Sequence, residues 1–273
     1  LNGINMASTH CTSENEIRSW LKTVLRGENL NDLQVKIQGN SEQGDGYMGD
    51  IVFVSAEGTT DNQLRKKYNL VLKCSKKSKA LREMSPVKEA FFNEIFMYQE
   101  VLPYFHQYQK DKGVKAPFNS FPKCYGSFTG ENMEVIVLEN LKSNGYELWP
   151  KKLPLSRKHI DFVVTEYGKY HATSLALQHN RPAVFQKFVD TVGDIFENFL
   201  NAGDMEALFG TPIDQSYELL KNDLDDSILL RWKKLKNQIK TIFENVTKQS
   251  TDLKVILHGD CWNNNFMFVH KVG

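Results

Sequence analysis

The hydrophobic pattern of this chain changes period part-way along, and that change limits the folds open to it. Ser13 to Leu25 has helical spacing. Ser13 and Glu16 form a capping box, and Ile17, Trp20, Leu21, Val24 and Leu25 make one apolar stripe. The stretches that follow are strand-like. Leu33 to Ile37 alternates, Ile51 to Val54 is apolar, Tyr68 to Cys74 is apolar with Lys73 near its end, and Val135 to Leu138 is apolar. One helix interrupts them. Ser85-Pro86 is a helix start with proline at the first helical position, and Phe91, Ile95, Tyr98 and Leu102 mark one face of a helix expected to end near Pro103. Glu139 to Gly145 has linker composition. Beyond it helical spacing dominates. Ser156 caps a helix through about Leu177 that carries Ile160, Val164, Tyr167, His171 and Leu175. Phe185, Phe188, Val192, Ile195, Phe196 and Phe199 form a second helical face, and a polar-apolar segment from about Tyr217 to Val246 follows. A last strand, Val255 to Leu257, runs into His258. The layout predicts an α+β protein: a β-rich first lobe with a leading helix over residues 1–138, a hinge over 139–145, and a mainly helical second lobe over 146–273.

The segment HGDCWNNN, His258 to Asn265, carries the chemistry. A histidine stands two positions before Asp260, and Asn265 stands five positions after it. A phosphotransferase loop of the protein-kinase type needs that order. The Asp accepts or orients the proton of the attacking hydroxyl, and the Asn carbonyl oxygen holds magnesium on the nucleotide phosphates. A His-Gly-Asp-x4-Asn string arises by chance in roughly one chain in a thousand of this length.

Other residues fall in the order such an enzyme requires. Gly44, Gly46 and Gly49 satisfy G-x-G-x-x-G. In a dinucleotide-binding fold that motif opens a helix, but here Asp50-Ile-Val-Phe-Val-Ser55 has strand composition, which argues against a nicotinamide enzyme. A glycine loop between two strands instead suits a hairpin covering nucleotide phosphates. An exposed glycine-rich turn has the same composition. Lys73, at the end of NLVLK, has the length and charge to meet the α- and β-phosphates, and it also reads as a solvated strand-end lysine. Glu94 lies beside the apolar face of the Phe91 helix and is the expected partner of Lys73; Glu89 and Glu100 are weaker candidates on helical phase. The main chain near Glu139 to Leu141 is expected to meet the adenine edge. His171 reads as a packed core histidine, His258 as a brace for its loop or a participant in proton transfer, and Trp262 as either a wall of the acceptor site or a packing residue.

Composition narrows the partners. With 41% hydrophobic and 25% charged residues and a formal charge of +1, the chain has no basic tract to suggest nucleic acid or an anionic membrane surface. No apolar run is long enough to span a bilayer, and the first residues lack the layout of a secretory signal. Cys11, Cys74, Cys124 and Cys261 are widely spaced, with no metal-ligand grouping. They read as free thiols, which makes the cytosol the default compartment, and Cys261 as a small apolar filler. Nothing in the sequence fixes an oligomeric state.

The segments GDGYMGDIVFV, NLVLKCS, NEIFMYQEVLPYF, FPKCYGSF, VIVLENLK, KYHATSLAL and VILHGDCWNNNFMF resemble the ecdysteroid kinase-like (CHK kinase-like) family, relatives of choline kinases and aminoglycoside phosphotransferases. The resemblance runs from about Gln34 onward. It implies a two-lobed protein-kinase-like fold and ATP- and magnesium-dependent phosphorylation of a small-molecule hydroxyl, an ecdysteroid or similar lipophilic alcohol. It gives Gly44, Gly46 and Gly49 the phosphate loop, Lys73 and Glu94 the phosphate clamp, Glu139 and Leu141 the hinge, Asp260 and His258 the catalytic loop, and Asn265 the metal. There are two departures. Gly46 stands where the family usually carries Asn. The family also has a second metal-binding aspartate on a strand after the catalytic loop, whereas this sequence runs from Leu1 to Gly273, eight residues past Asn265. The expectation is therefore a fragment with a truncated second lobe and weak or no phosphotransfer in isolation. A non-catalytic pseudokinase or ligand-binding fragment is the alternative.

Overall fold

A computed structural model describes residues 13–40, 48–195, 209–248 and 253–270. The fold is α+β, with an antiparallel sheet in the N-terminal region and helices in the C-terminal part. The chain separates into two compact units. The first comprises residues 1–77, 94–170 and 258–273, and the second residues 78–93 and 171–257.

In the first unit, helix α1 (Glu14–Val24) begins at the anticipated capping box: the Ser13 hydroxyl accepts from the Glu16 amide and the Glu16 carboxylate accepts from the Ser13 amide. Strands β1 (Leu30–Asn40), β2 (Gly49–Thr60), β3 (Arg65–Ser75), β4 (Cys124–Gly130) and β5 (Met133–Glu139) form one sheet in the order β1-β2-β3-β5-β4, every pair antiparallel. Ile17, Trp20 and Leu21 from α1 and Leu25 at its C-terminal cap meet Val52, Val54, Leu70, Leu72, Cys74, Val135 and Val137 in a single core. Ile17, Leu21, Leu70 and Leu72 are fully buried, and each such side chain contributes roughly 1.5–3 kcal/mol. Because side chains alternate along a strand, the residues between Leu70, Leu72 and Cys74 look the other way. Lys73, paired in register with Ile51 and Ile136, therefore stands on the face that α1 does not cover.

The helix carrying Glu94 runs on past the expected stop. Helix α2 (Lys79–Met84) is followed by α3 (Val87–Phe96), a π-helical turn (Met97–Val101) and α4 (Leu102–Asp111). In the π turn the Leu102 N–H donates to the Met97 carbonyl, five residues back. This wider register puts Pro103 in the first turn of α4, where its missing N–H leaves no bond unmade, so the proline does not end the helix.

A short 3-10 turn (Leu141–Asn144) and β6 (Glu147–Leu148) lead to α5 (Arg157–Asn180), capped by Ser156, whose hydroxyl accepts from the His159 amide. In the second unit, α6 (Pro182–Thr191) stops where Val192 turns extended at ψ 105°, so the expected apolar face ends before Ile195; Phe196 and Phe199 lie outside the described residues. The segment near Tyr217 to Val246 is two helices, α7 (Thr211–Leu220) and α8 (Asp226–Lys248). They part at an Asn-Asp-rich stretch where the Asp225 carbonyl accepts the first amides of α8. The expected strand at Val255–Leu257 does not form. The Ile256 amide donates instead to the Ser174 hydroxyl at 2.9 Å, and the Lys254 amide to the Gln178 side chain at 3.4 Å. Side chains of α5 thus take the bonds a neighbouring strand would have taken. Beyond it β7 (Met267–Phe268) pairs with β6 in the first unit.

Candidate active site

Lys73 Nζ lies 2.7 Å from Glu94 Oε2. The two side chains are 35% and 27% exposed, so solvent screens the pair and its worth lies in holding the ammonium in place. Glu89 and Glu100 are both exposed, and it is Glu94 that meets the lysine. One turn past Glu94, Tyr98 sits beside Glu94 and Cys124, and burial pushes its phenol well above the usual range. Gly49 opens β2, paired with Ser75, and the Lys76 amide extends that pairing by donating to the Met48 carbonyl at 3.0 Å. A strand thus follows the last glycine, as the sequence composition indicated. Gly44 and Gly46 lie outside the described residues.

At the end of β5 the main chain is tightly held. The Glu139 amide donates to the Lys123 carbonyl at 2.8 Å, and its carboxylate accepts from the Asn144 side chain at 2.7 Å and the Lys123 amide at 3.2 Å. Buried Asn140 gives its amide to the Asn69 carbonyl, accepts the Lys142 amide through its side chain, and accepts the Ser143 hydroxyl through its carbonyl. Sequence reading passed over Asn140; an asparagine between a strand and a tight turn was the available signal.

The loop from His258 is built around Asp260. Gly259 adopts φ +81°, in the left-handed region where a side chain is strained, which accounts for glycine before the aspartate. His258 Nδ1 accepts the Asp260 main-chain amide at 3.2 Å. Asn265 Nδ2 donates to the Asp260 carbonyl at 2.9 Å and to its carboxylate at 2.8 Å. The 3-10 turn Asn263–Asn265 sets that reach: the Asn265 amide donates to the Trp262 carbonyl at 2.9 Å. Although His258 is exposed as a residue, neighbouring protein atoms desolvate its ring and lower its pKa below the ordinary 6.5. The charges of Asp260, Glu94 and Lys73 also reach that imidazole. Lys73, Glu94, His258, Asp260 and Asn265 all belong to the first unit. His171, by contrast, belongs to the second unit and is half-buried there.

The Trp262 ring is 48% exposed on the same loop. Cys261 is exposed and not the apolar filler its composition suggested, and its thiol lies beside the Tyr167 hydroxyl. Cys74, Cys124 and Cys261 are free thiols. Burial pushes the Cys74 thiol up to about 12, which removes it from nucleophilic chemistry, and Cys11 lies outside the described residues. Among the described residues no three His, Cys, Asp or Glu side chains gather to hold a metal. A magnesium ion is compatible with this poverty, since it commonly takes one or two protein oxygens together with substrate phosphates and water. With its nitrogen committed to Asp260, Asn265 has its Oδ1 on the other side of the same amide.

Residues 43–272 match the family model described as ecdysteroid kinase-like. The chain belongs to the ecdysteroid kinase-like family. No curated protein matches it. At the level of the family, membership carries kinase-like phosphotransferase activity toward small molecules. Among the described residues of this ecdysteroid kinase-like protein, no helix is long and apolar enough to cross a membrane.

Proposed function

We propose that this ecdysteroid kinase-like protein transfers the terminal phosphoryl group of ATP to a hydroxyl of a small lipophilic alcohol, of the ecdysteroid class that the family description names. The observation that carries the reading is the contact of Asn265 with both the carbonyl and the carboxylate of Asp260, in the unit that also holds the Lys73–Glu94 pair. Asp260 receives the acceptor hydroxyl and takes or orients its proton. The acceptor oxygen bonds to the γ-phosphorus as the bond to the β,γ-bridging oxygen breaks, and ADP leaves. Lys73, steadied by Glu94, sets a point charge on the α- and β-phosphates. The Glu139 carbonyl and Leu141 amide receive the adenine edge, and the Gly44, Gly46 and Gly49 segment covers the phosphates. His258 keeps its loop folded through the Asp260 amide. Asn265 Oδ1 is the protein ligand for magnesium, which when bound offsets the negative charge of the phosphates. Trp262 stands on the acceptor side, where an exposed indole suits an apolar skeleton. We assign the protein to the cytosol on the spacing of its cysteines.

The test uses the full-length protein with magnesium and ATP against ecdysteroids, choline and xenobiotic alcohols, followed by phosphorus NMR, with ATP and NAD compared by thermal shift. A phosphate ester on a lipophilic alcohol and stabilisation by ATP support the reading. Stabilisation by ATP without any phosphate ester would return the protein to the ligand-binding class, and stabilisation by NAD alone would overturn the nucleotide assignment.

A further inference from the structure

Tyr167 lies on α5, and its ring touches both arms of the Asp260 loop. Its centroid is 6.0 Å from that of His258, edge to face, and 6.4 Å from that of Phe266, again edge to face. His258 precedes Asp260 and Phe266 follows Asn265, so a single ring spans the two ends of the segment that carries the proposed chemistry. The hydroxyl is enclosed beside the Cys261 thiol and close enough to Asp260 to sense its charge, and burial raises its pKa well above the usual phenol range. One turn further on, Tyr170 is 4% exposed and packs against Phe105 of α4 and against Phe118, with centroids 5.5 and 5.3 Å away. The stretch of α5 that presents Tyr167 is therefore anchored on its own account. Edge-to-face aromatic pairs attract beyond the area they bury, through the ring quadrupoles. Within the loop, the bonds from Asp260 to His258 and Asn265 all lie at exposed positions, where water competes for them.

We propose that Tyr167 is the positioning residue of the Asp260 loop, holding His258 and Phe266 against α5 so that the Asn265–Asp260 contacts persist. The consequence for catalysis rests on the phosphotransfer reading, whereas the positioning does not. Amide hydrogen exchange on the full-length protein separates the two. Tyr167→Leu removes the ring, Tyr167→Phe keeps it, and Tyr170→Leu removes a more deeply buried ring from the same helix, one packed against Phe105 and Phe118. Exchange over residues 258–266 is expected to quicken on the order of tenfold in Tyr167→Leu alone. Residues 51–74 keep the wild-type pattern, and Tyr167→Phe restores most of the protection. If the protein transfers phosphate, Tyr167→Leu lowers kcat on the order of a hundredfold while the KM for ATP holds, because a misplacement of about 1 Å costs that much. Unchanged exchange over residues 258–266 in Tyr167→Leu would overturn the proposal, as would equal quickening in Tyr170→Leu. Quickened exchange in a protein that phosphorylates no alcohol upholds the positioning and sinks the phosphotransfer reading instead.

Discussion

Asn265 holds Asp260 at two points, its carbonyl at 2.9 Å and its carboxylate at 2.8 Å, through a single side-chain nitrogen. The loop that bears the proposed base is thereby ordered by the residue proposed to face the metal. Asn265→Leu keeps the approximate volume and removes both bonds. Since these bonds lie at the surface, the stability change should stay within about 1 kcal/mol. The kcat for phosphotransfer should fall on the order of a hundredfold. Steady-state kinetics together with a urea melt of the same preparation separates the two effects.

Glu94→Gln retains a hydrogen-bond acceptor for Lys73 and removes the charge. The pair is about one-third open to water, so unfolding free energy should move by no more than about 1 kcal/mol. The nucleotide should feel the change more, with a higher KM for ATP at an unchanged KM for the acceptor. An equal rise in both constants would speak for a general disturbance and against a phosphate clamp.

Gly259 stands at φ +81° with open space where a Cβ would lie. Gly259→Ala is therefore strained by its backbone and not by collision, at a cost of about 1–2 kcal/mol. Part of that cost can be relieved by the loop turning away from its present path. Activity should consequently drop further than the shift in the denaturation midpoint suggests.

Desolvation of its ring by neighbouring protein atoms sets the His258 pKa below the ordinary 6.5, against the opposing pull of the Asp260 and Glu94 charges. As pH falls, the unfolded chain takes up this proton before the folded protein does. The stability tied to the neutral ring is therefore full above 6.5 and is lost as pH drops from there through the lower folded value. His258→Gln should flatten this part of the stability profile between about pH 7 and pH 5. Urea melts at several pH values on both proteins measure the difference.

Much of the fold could be read in the residue pattern because its causes are local. The capping box at Ser13 and Glu16, the alternation about Lys73 and the strand following Gly49 depend on near neighbours, and each appears in the structure. The pairing of Lys73 with Glu94 could be read only from order along the chain, through helical phase that favoured Glu94 over Glu89 and Glu100. What escaped reading was set by bonds between distant segments. Val255–Leu257 has strand composition, but Ser174 and Gln178 of α5 claim its amides. Pro103 looks like a stop, yet the π turn ahead of it shifts the register so that no amide is needed there. Tyr167 reads as one residue in an apolar stripe, and only folding brings His258 and Phe266 against its ring.

The account stands on Lys73 and Asp260 acting on one nucleotide and its acceptor. The most direct measurement is transfer of γ-labelled phosphate from ATP to the best alcohol by the full-length protein, with ATP affinity determined in parallel, for wild type, Lys73→Ala and Asp260→Asn. The prediction is that Lys73→Ala weakens ATP binding and transfer together, while Asp260→Asn binds ATP normally and loses transfer by roughly 100- to 10,000-fold. Wild-type transfer by Asp260→Asn would contradict it.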